Sequence, residues 1–427
     1  MRHPYAPFWE AARRHGPVFT IRLAGQPTWV SVGDPVLVER VFRAAPDELE
    51  GATDVMRMLL PEGALVLLQG DAHRRMRRTL APFFQPEPMA RHAEVMRRAI
   101  DAAIDGLVPG QRVRLLDLYA GVTLRTIVEC VFGVTREALR RELEQTMTLE
   151  LRRLARPDLV LATLLFSGER VGRFLAWIEE RARSRAERSV MPLGNLKAKL
   201  RRLVRDELTK GRARPSARRD LLGRLLDAKD EAGAPLADDV LYAQLRSILL
   251  GAHDTSAITL SWATHFVLRD PEASELIGAG RAGQPEAAHV DAVLKETLRI
   301  RPVAHHTARV ATRAFALGPY EVPKGAYVLP SQAVTHFREA LWDAPHEFRP
   351  GRFLEATPSP YQYFPFGGGS RACLGRAFAL AQMRILLTRM LERVTLRPAP
   401  GADPRPAMCG LLVGPSDGVP VVIEGVR

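Results

Sequence analysis

Residues 364–387 read FPFGGGSRACLGRAFALAQMRILL, a glycine-rich run that leads through one cysteine into an apolar-patterned segment. Three consecutive glycines, Gly367, Gly368 and Gly369, break regular structure, whereas the residues after Cys373 place apolar side chains at helical spacing. A loop carrying a cysteine therefore runs into an amphipathic helix, expected over about residues 374–391. A thiol at that position meets unpaired N–H groups and the positive end of the helix dipole, both of which favour a metal-binding thiolate. Gly369 and Gly375 let the backbone pass close to a flat group. Cys130, in TIVECVFG, and Cys409, in a strand-like segment, have core-like neighbours instead, and the three thiols lack the paired spacing of a disulfide framework.

On either side of the loop, ARVAT, YEVPKGAYVLP and CGLLVGPSDGVPVVI read as short strands and turns. The first fifty residues contain VFTIRL and TWVSVGDP, which alternate as a small antiparallel hairpin does. Between them, residues 71–270 follow a mostly helical period. Residues 237–269 lack proline, carry Asp238 and Asp239 in the first turn and stop before Asp270 and Pro271; they predict one long helix, apolar on nearly every side at its centre and hence interior. The arginine-rich stretch 181–219, broken by MPLGN and GRARPSAR, reads as solvated helix faces with a loop. The expected fold class is mainly α with a smaller β region.

At 427 residues and 46% hydrophobic, the chain can bury a large core. It has no run of about 20 apolar residues, and MRHPYAPFWEAARRHG has no signal-peptide core, so no membrane span and a cytoplasmic location are expected. The net charge of +13 suits any acidic partner. Without zinc-ligand spacing, an aromatic-plus-basic platform or a compact reading helix, nucleic acid is not expected to be that partner.

The cysteine loop resembles the ligand loop of the cytochrome P450 family, FxxGxRxCxG, through Phe366, Gly369, Arg371, Cys373 and Gly375. From average residue usage, such a match arises by chance in a chain of this size at a frequency on the order of 10⁻⁴. The resemblance implies one domain over residues 1–427 with no fused reductase. It implies a triangular helical prism holding haem b (iron protoporphyrin IX) between the long central helix and the helix after the cysteine loop. Cys373 becomes the axial ligand that pushes electron density toward dioxygen.

Further motifs follow in family order. Glu296 and Arg299 in KETLRIRP match the family's ExxR pair; Arg352 in FRPGRF matches its later arginine partner, with Gly351 in place of the usual Glu. Together they imply a charge network behind the haem. His73 and Arg77, four apart on one helix face, resemble the HxxxR pair on a haem propionate, and Arg309 and Arg371 match two further propionate donors. In LLGAHDTSA, Asp254 and Thr255 resemble the acid and alcohol of a pattern close to AGxDTT, which organise water and deliver protons at the oxygen site. Gly251 and Ala252 stand in the opposite order, so the Ala252 methyl faces the oxygen site or tightens its groove. A purely structural reading stands beside this: Thr255 bonds back to its own helix carbonyl and Asp254 finds an ion pair.

The resemblance thus implies a monooxygenase acting on a lipophilic molecule (a fatty acid, terpenoid, steroid or polyketide), with dioxygen and electrons from a separate ferredoxin and ferredoxin reductase. A peroxide-using or isomerising enzyme of the same fold is the alternative, and such enzymes often lack the alcohol at Thr255. By family position, the substrate pocket takes residues 56–68, 161–166 and 303–306, including Val303, together with Gly251, Ala252, Leu411 and Leu412. His305 and His306 either bind a polar substrate group or are capping or solvated histidines. Arg74, Arg75, Arg78 and Arg376 form a basic face suited to an acidic ferredoxin.

Overall fold

The computed structural model describes residues 3–22, 25–133, 141–142, 201–202, 204–206, 208–209, 220–230, 232–279, 287–409 and 411–427. Residues 161–166 and most of 181–219 lie outside these. The helices that frame the site are α1 (Gly70–Leu80), α2 (Pro86–Ile104), α3 (Leu115–Phe132), α4 (Asp238–Arg269), α5 (Ala287–Ile300) and α6 (Arg376–Arg393). Helix α4 is the proline-free helix expected from the sequence, 32 residues long. It ends because Pro271 pushes Asp270 into extended backbone, and the Asp270 amide closes the last turn on the Phe266 carbonyl at 2.8 Å. Its residues 256–264 are all buried, so no face is left for solvent, and the helix runs through the interior. Helix α3 packs along it, and Tyr119 and Thr264 share a hydroxyl hydrogen bond of 2.8 Å inside that seam. Helix α2 lies on α3 and α6.

The β region forms a five-stranded sheet from β1 (Val18–Ile21), β2 (Trp29–Val32), β3 (Leu49–Gly51), β4 (Arg309–Ala311) and β5 (Tyr327–Pro330), in the order β1-β2-β5-β4-β3. β1 and β2 are the hairpin read from the sequence, with Phe19 opposite Ser31. β2 runs parallel to β5, with Trp29 opposite Tyr327, so segments nearly 300 residues apart share one sheet. A second core, with Val30, Val32, Phe42, Val328 and Phe364, fills one face of this sheet. A hairpin of β6 (Pro406–Cys409) and β7 (Leu412–Pro415) leans on α4. Two boundaries differ from expectation. The stretch 71–270 contains a strand, Arg112–Arg114, drawn out of the helical pattern by pairing with Pro420–Val426. Helix α6 begins at Arg376 rather than near 374, because Gly375 acts as its N-cap. Among the described residues, no helix is long and apolar enough to cross a membrane.

Candidate active site

The cysteine loop is clamped before it reaches the thiol. The Phe364 amide donates to His336 Nε2 at 3.2 Å, Gln332 Nε2 donates to the Phe364 carbonyl at 3.3 Å, and the Tyr363 hydroxyl donates to the Lys295 carbonyl on α5 at 2.9 Å. The Cys373 amide then returns to the Phe366 carbonyl at 2.9 Å, which fixes the two motif residues against each other. Gly369 has φ +65°, and a β-carbon there would collide with the Phe42 carbonyl. Within the protein the glycine is thus required by the close approach of the Phe42 backbone, at the end of the helix Pro35–Phe42. Gly375 keeps its expected freedom: its nearest neighbour to a β-carbon is Phe84 at 3.9 Å.

The expectation of a lowered thiol pKa is not met. Cys373 stands three residues ahead of the first helical residue, and burial pushes its thiol up, outweighing the Gly375 backbone N–H and the charges of Arg77 and Arg376. The residue nevertheless presents accessible surface, while the surrounding protein crowds the thiol. Cys130 is buried as expected, whereas Cys409, on an outer hairpin, is only half-buried and so is not a core residue.

Four bases converge beside this thiol. His73 is buried, and burial first, then Arg371, Arg77 and Arg309, lower its pKa to about 4. Arg309 is brought down to about 10 by burial and the neighbouring Arg371, and it donates only to the carbonyls of Ala308, at 3.0 Å, and Gly368, at 3.1 Å. Arg371 bonds to Gln69 and to the Val66 carbonyl. Gln69 was not singled out in the sequence. It caps α1 and exchanges hydrogen bonds of 2.8 and 3.1 Å with Gly51 on β3, so it joins helix, sheet and Arg371. Among the described residues, none of the four bases is hydrogen bonded to or ion-paired with a carboxylate, although Glu50 attracts Arg371. Like charges gathered in a partly desolvated place are costly unless an anion joins them. The set therefore suits a group bearing carboxylates.

Helix α4 opens a window ahead of its buried half. Gly251 is exposed, Ala252, Asp254 and Thr255 are half-buried, and a β-carbon on Gly251 would meet no described atom within 4 Å. The back-bond of the structural reading is present, whereas the group beside Asp254 is an imidazole that burial keeps from charging. Thr255 Oγ1 donates to the Gly251 carbonyl at 3.0 Å, and Asp254 Oδ1 lies 3.2 Å from His253 Nε2. The back-bond uses the single hydroxyl proton and leaves the oxygen's lone pairs open to the window.

Behind the loop, Glu296, Arg299 and Arg352 meet as expected. Arg299 grips both Glu296 oxygens at 2.7 Å and donates to the carbonyls of His336 (2.8 Å), Pro345 (2.7 Å) and Glu347 (3.0 Å). Arg352 Nε and the Arg349 amide add 3.1 and 2.9 Å bonds to Glu296 Oε1. Gly351 costs this network nothing, since its amide bonds to Glu272 instead. His336 links the network to the cysteine loop and also went unnoticed in the sequence; burial holds its pKa at about 3.

The sequence profile of the family described as Cytochrome P450 matches residues 1–420. The chain belongs to the cytochrome P450 family. A Mycobacterium tuberculosis relative with the provisional name cytochrome P450 135B1 is 32% identical over 436 residues, covering 100% of this chain and 89% of its own. Another from that organism, provisionally cytochrome P450 138, is 30% identical over 420 residues, covering 96% and 90%. Among solved structures, a retinoic acid-bound cyanobacterial CYP120A1 superposes with a TM-score of 0.80 at 20% identity, covering 98% of this chain and 94% of that one. A cytochrome P450DA heme domain gives 0.80 at 22%, covering 99% and 92%. The fold is thus that of the P450 haem domains, and the chain is a haem-thiolate monooxygenase that binds iron protoporphyrin IX.

In this P450, two parts of the expected pocket pack onto α4. Leu60, Ala64 and Leu67 cluster with Ala243, and the segment is tied down by Gln244 and Arg246, the latter donating to the Leu59 carbonyl at 2.8 Å. Val303 clusters with Ile258, Trp262 and Leu412, and the Val413 amide bonds to the Val303 carbonyl at 2.9 Å. Leu411, in the turn of that hairpin, is half-buried. His305 and His306 are half-buried rather than freely solvated. They stack edge to face at 4.2 Å, lie near Phe8 and Trp29, and are kept neutral by burial. Arg74, Arg78 and Arg376 are exposed as expected; Arg74 pairs with Asp71, and Arg376 lies over the Phe366 ring.

Proposed function

We propose that residues 1–427 act as a single P450 domain that oxygenates a lipophilic small molecule, with His73, Arg77, Arg309 and Arg371 seating the haem propionates and Cys373 ligating the iron. The observation that carries this is the convergence of four bases beside the Cys373 thiol without a carboxylate partner. Haem held by these residues would supply the chemistry that activates dioxygen, with Cys373 as its thiolate ligand. Thr255, its proton directed to Gly251, accepts from water in the window, and the 39% exposed Asp254 passes protons between that water and solvent. The Gly251–Ala252 order leaves the open position one residue earlier than in the family pattern, and the Ala252 methyl packs against the core, which supports a tightened helical groove.

Ile258, Val303, Leu411, Leu412 and the 56–68 segment supply apolar contact, which supports a fatty acid, terpenoid, steroid or polyketide as substrate and an alcohol or epoxide as product. Electrons come from a separate ferredoxin and its reductase in the cytoplasm, steered by Arg74, Arg75, Arg78 and Arg376. The test is the carbon monoxide spectrum of the reduced, haem-supplied protein beside Cys373→Ala. A far red-shifted Soret band lost in the variant supports the assignment, and no such band in folded wild-type protein overturns it.

A further inference from the structure

Asp254 is held by its own neighbour in sequence. Adjacent helix residues do not face one another, yet the His253 and Asp254 side chains meet at 3.2 Å. The imidazole is buried against α3, with Nδ1 3.4 Å from Thr123 Oγ1, while the carboxylate reaches the window. Among the described residues, no arginine or lysine pairs with Asp254. The titratable group near it on the β6–β7 hairpin is Cys409.

The Thr123 hydroxyl has one proton and four acceptors within reach: the carbonyls of Tyr119 (2.9 Å), Ala120 (3.2 Å) and His253 (3.2 Å), and His253 Nδ1. Two arrangements satisfy the chain of bonds. In one, Thr123 donates to Nδ1 and Nε2–H turns toward the Asp254 carboxylate, whose Oδ1 is 3.2 Å away without an aligned hydrogen bond in this conformation. In the other, Asp254 has taken one proton from water and donates it to a bare Nε2, Nδ1–H donates to Thr123 Oγ1, and Thr123 turns to the Tyr119 carbonyl. The two differ by that one proton, and the imidazole stays neutral in both, as its burial favours.

We propose that His253 is a positioning residue for the proton-delivering acid: by exchanging tautomers against Thr123, one ring nitrogen holds Asp254 both as carboxylate and as acid. This rests on the reading that Asp254 handles protons at the oxygen site. His253→Leu removes the support, Thr123→Val removes the tautomer partner, and His253→Gln restores a side-chain amide in its place.

In haem-loaded enzyme with its reductase, His253→Leu is expected to release about fivefold more hydrogen peroxide per product, the equivalent of one ordinary hydrogen bond. Thr123→Val is expected to do so less, and His253→Gln to recover coupling. His253→Leu adds nothing to Asp254→Asn. Independently of turnover, the infrared carboxyl band assigned by its loss in Asp254→Asn should move in His253→Leu and in Thr123→Val. An unmoved band, or peroxide release that multiplies in the double variant, overturns the proposal. Should His253→Leu not fold, the band position in Thr123→Val and the coupling of His253→Gln decide between the same two outcomes. The carbon monoxide band separates this proposal from the site assignment: unchanged, it leaves the assignment standing whatever becomes of His253, while its loss in wild-type protein points to failure of that assignment.

Discussion

Replacing Arg299 by lysine keeps the charge and removes the fork. The guanidinium donates five hydrogen bonds, two to Glu296 and one each to the carbonyls of His336, Pro345 and Glu347. An ammonium has three donors on one atom, so at least two of those acceptors lose their partner. The Arg299 side chain is 0% exposed, so water does not replace them. Each buried orphan costs about 1–3 kcal/mol, and two cost about 2–6 kcal/mol. Against a total stability of about 5–15 kcal/mol, that lowers the urea midpoint substantially. Haem loss, read at the Soret band, should accompany or precede the far-UV change, since the His336 carbonyl receives Arg299 and its ring holds the Phe364 amide at the head of the cysteine loop. The companion Glu296→Gln leaves a buried guanidinium without its counter-ion and costs about 3–5 kcal/mol. A lysine variant that keeps its haem and unfolds within about 1 kcal/mol of wild type refutes the assignment of this network as a support of the cysteine loop.

Gly251→Ala should raise helix stability by roughly 0.5–1 kcal/mol, because the new methyl meets no described atom and glycine is a poor residue for a helix interior. The same methyl enters the window, so bulky lipophilic compounds should give weaker substrate-type spectral shifts; unchanged binding places Gly251 outside the pocket. Stability should also depend on pH through His336, whose pKa burial depresses to about 3. Below about pH 6.5 the unfolded chain takes up a proton that the native ring refuses, so this contribution is full above about 6.5 and is lost as pH falls toward 3, at about 1.4 kcal/mol per pH unit. Urea midpoints at about pH 7.5 and about pH 5 should therefore converge in His336→Gln relative to wild type, and equal slopes in the two proteins place the acid sensitivity elsewhere.

The parts of this molecule that were legible in its sequence are those where one residue type has one geometric use. Glu296, Arg299 and Arg352 meet because a buried fork and a carboxylate have few other ways to be satisfied, and α4 ends where Pro271 forbids it to continue. The residues that steady the site, Gln69, Gln332 and His336, left no signal, because each acts through backbone groups contributed by distant segments, and an isolated Gln or His does not announce which carbonyl or amide it will find. At Cys373 the motif was legible but the surroundings were not: the helix starts three residues on, at Arg376, and burial pushes the thiol up more than the Gly375 N–H and the charges of Arg77 and Arg376 bring it down. The buried thiol and the four converging bases belong together under the proposed function: on that reading His73, Arg77, Arg309 and Arg371 would hold the carboxylates of the haem and so bring its iron to Cys373, and the binding of haem, rather than the helix end, would set the state of that sulfur.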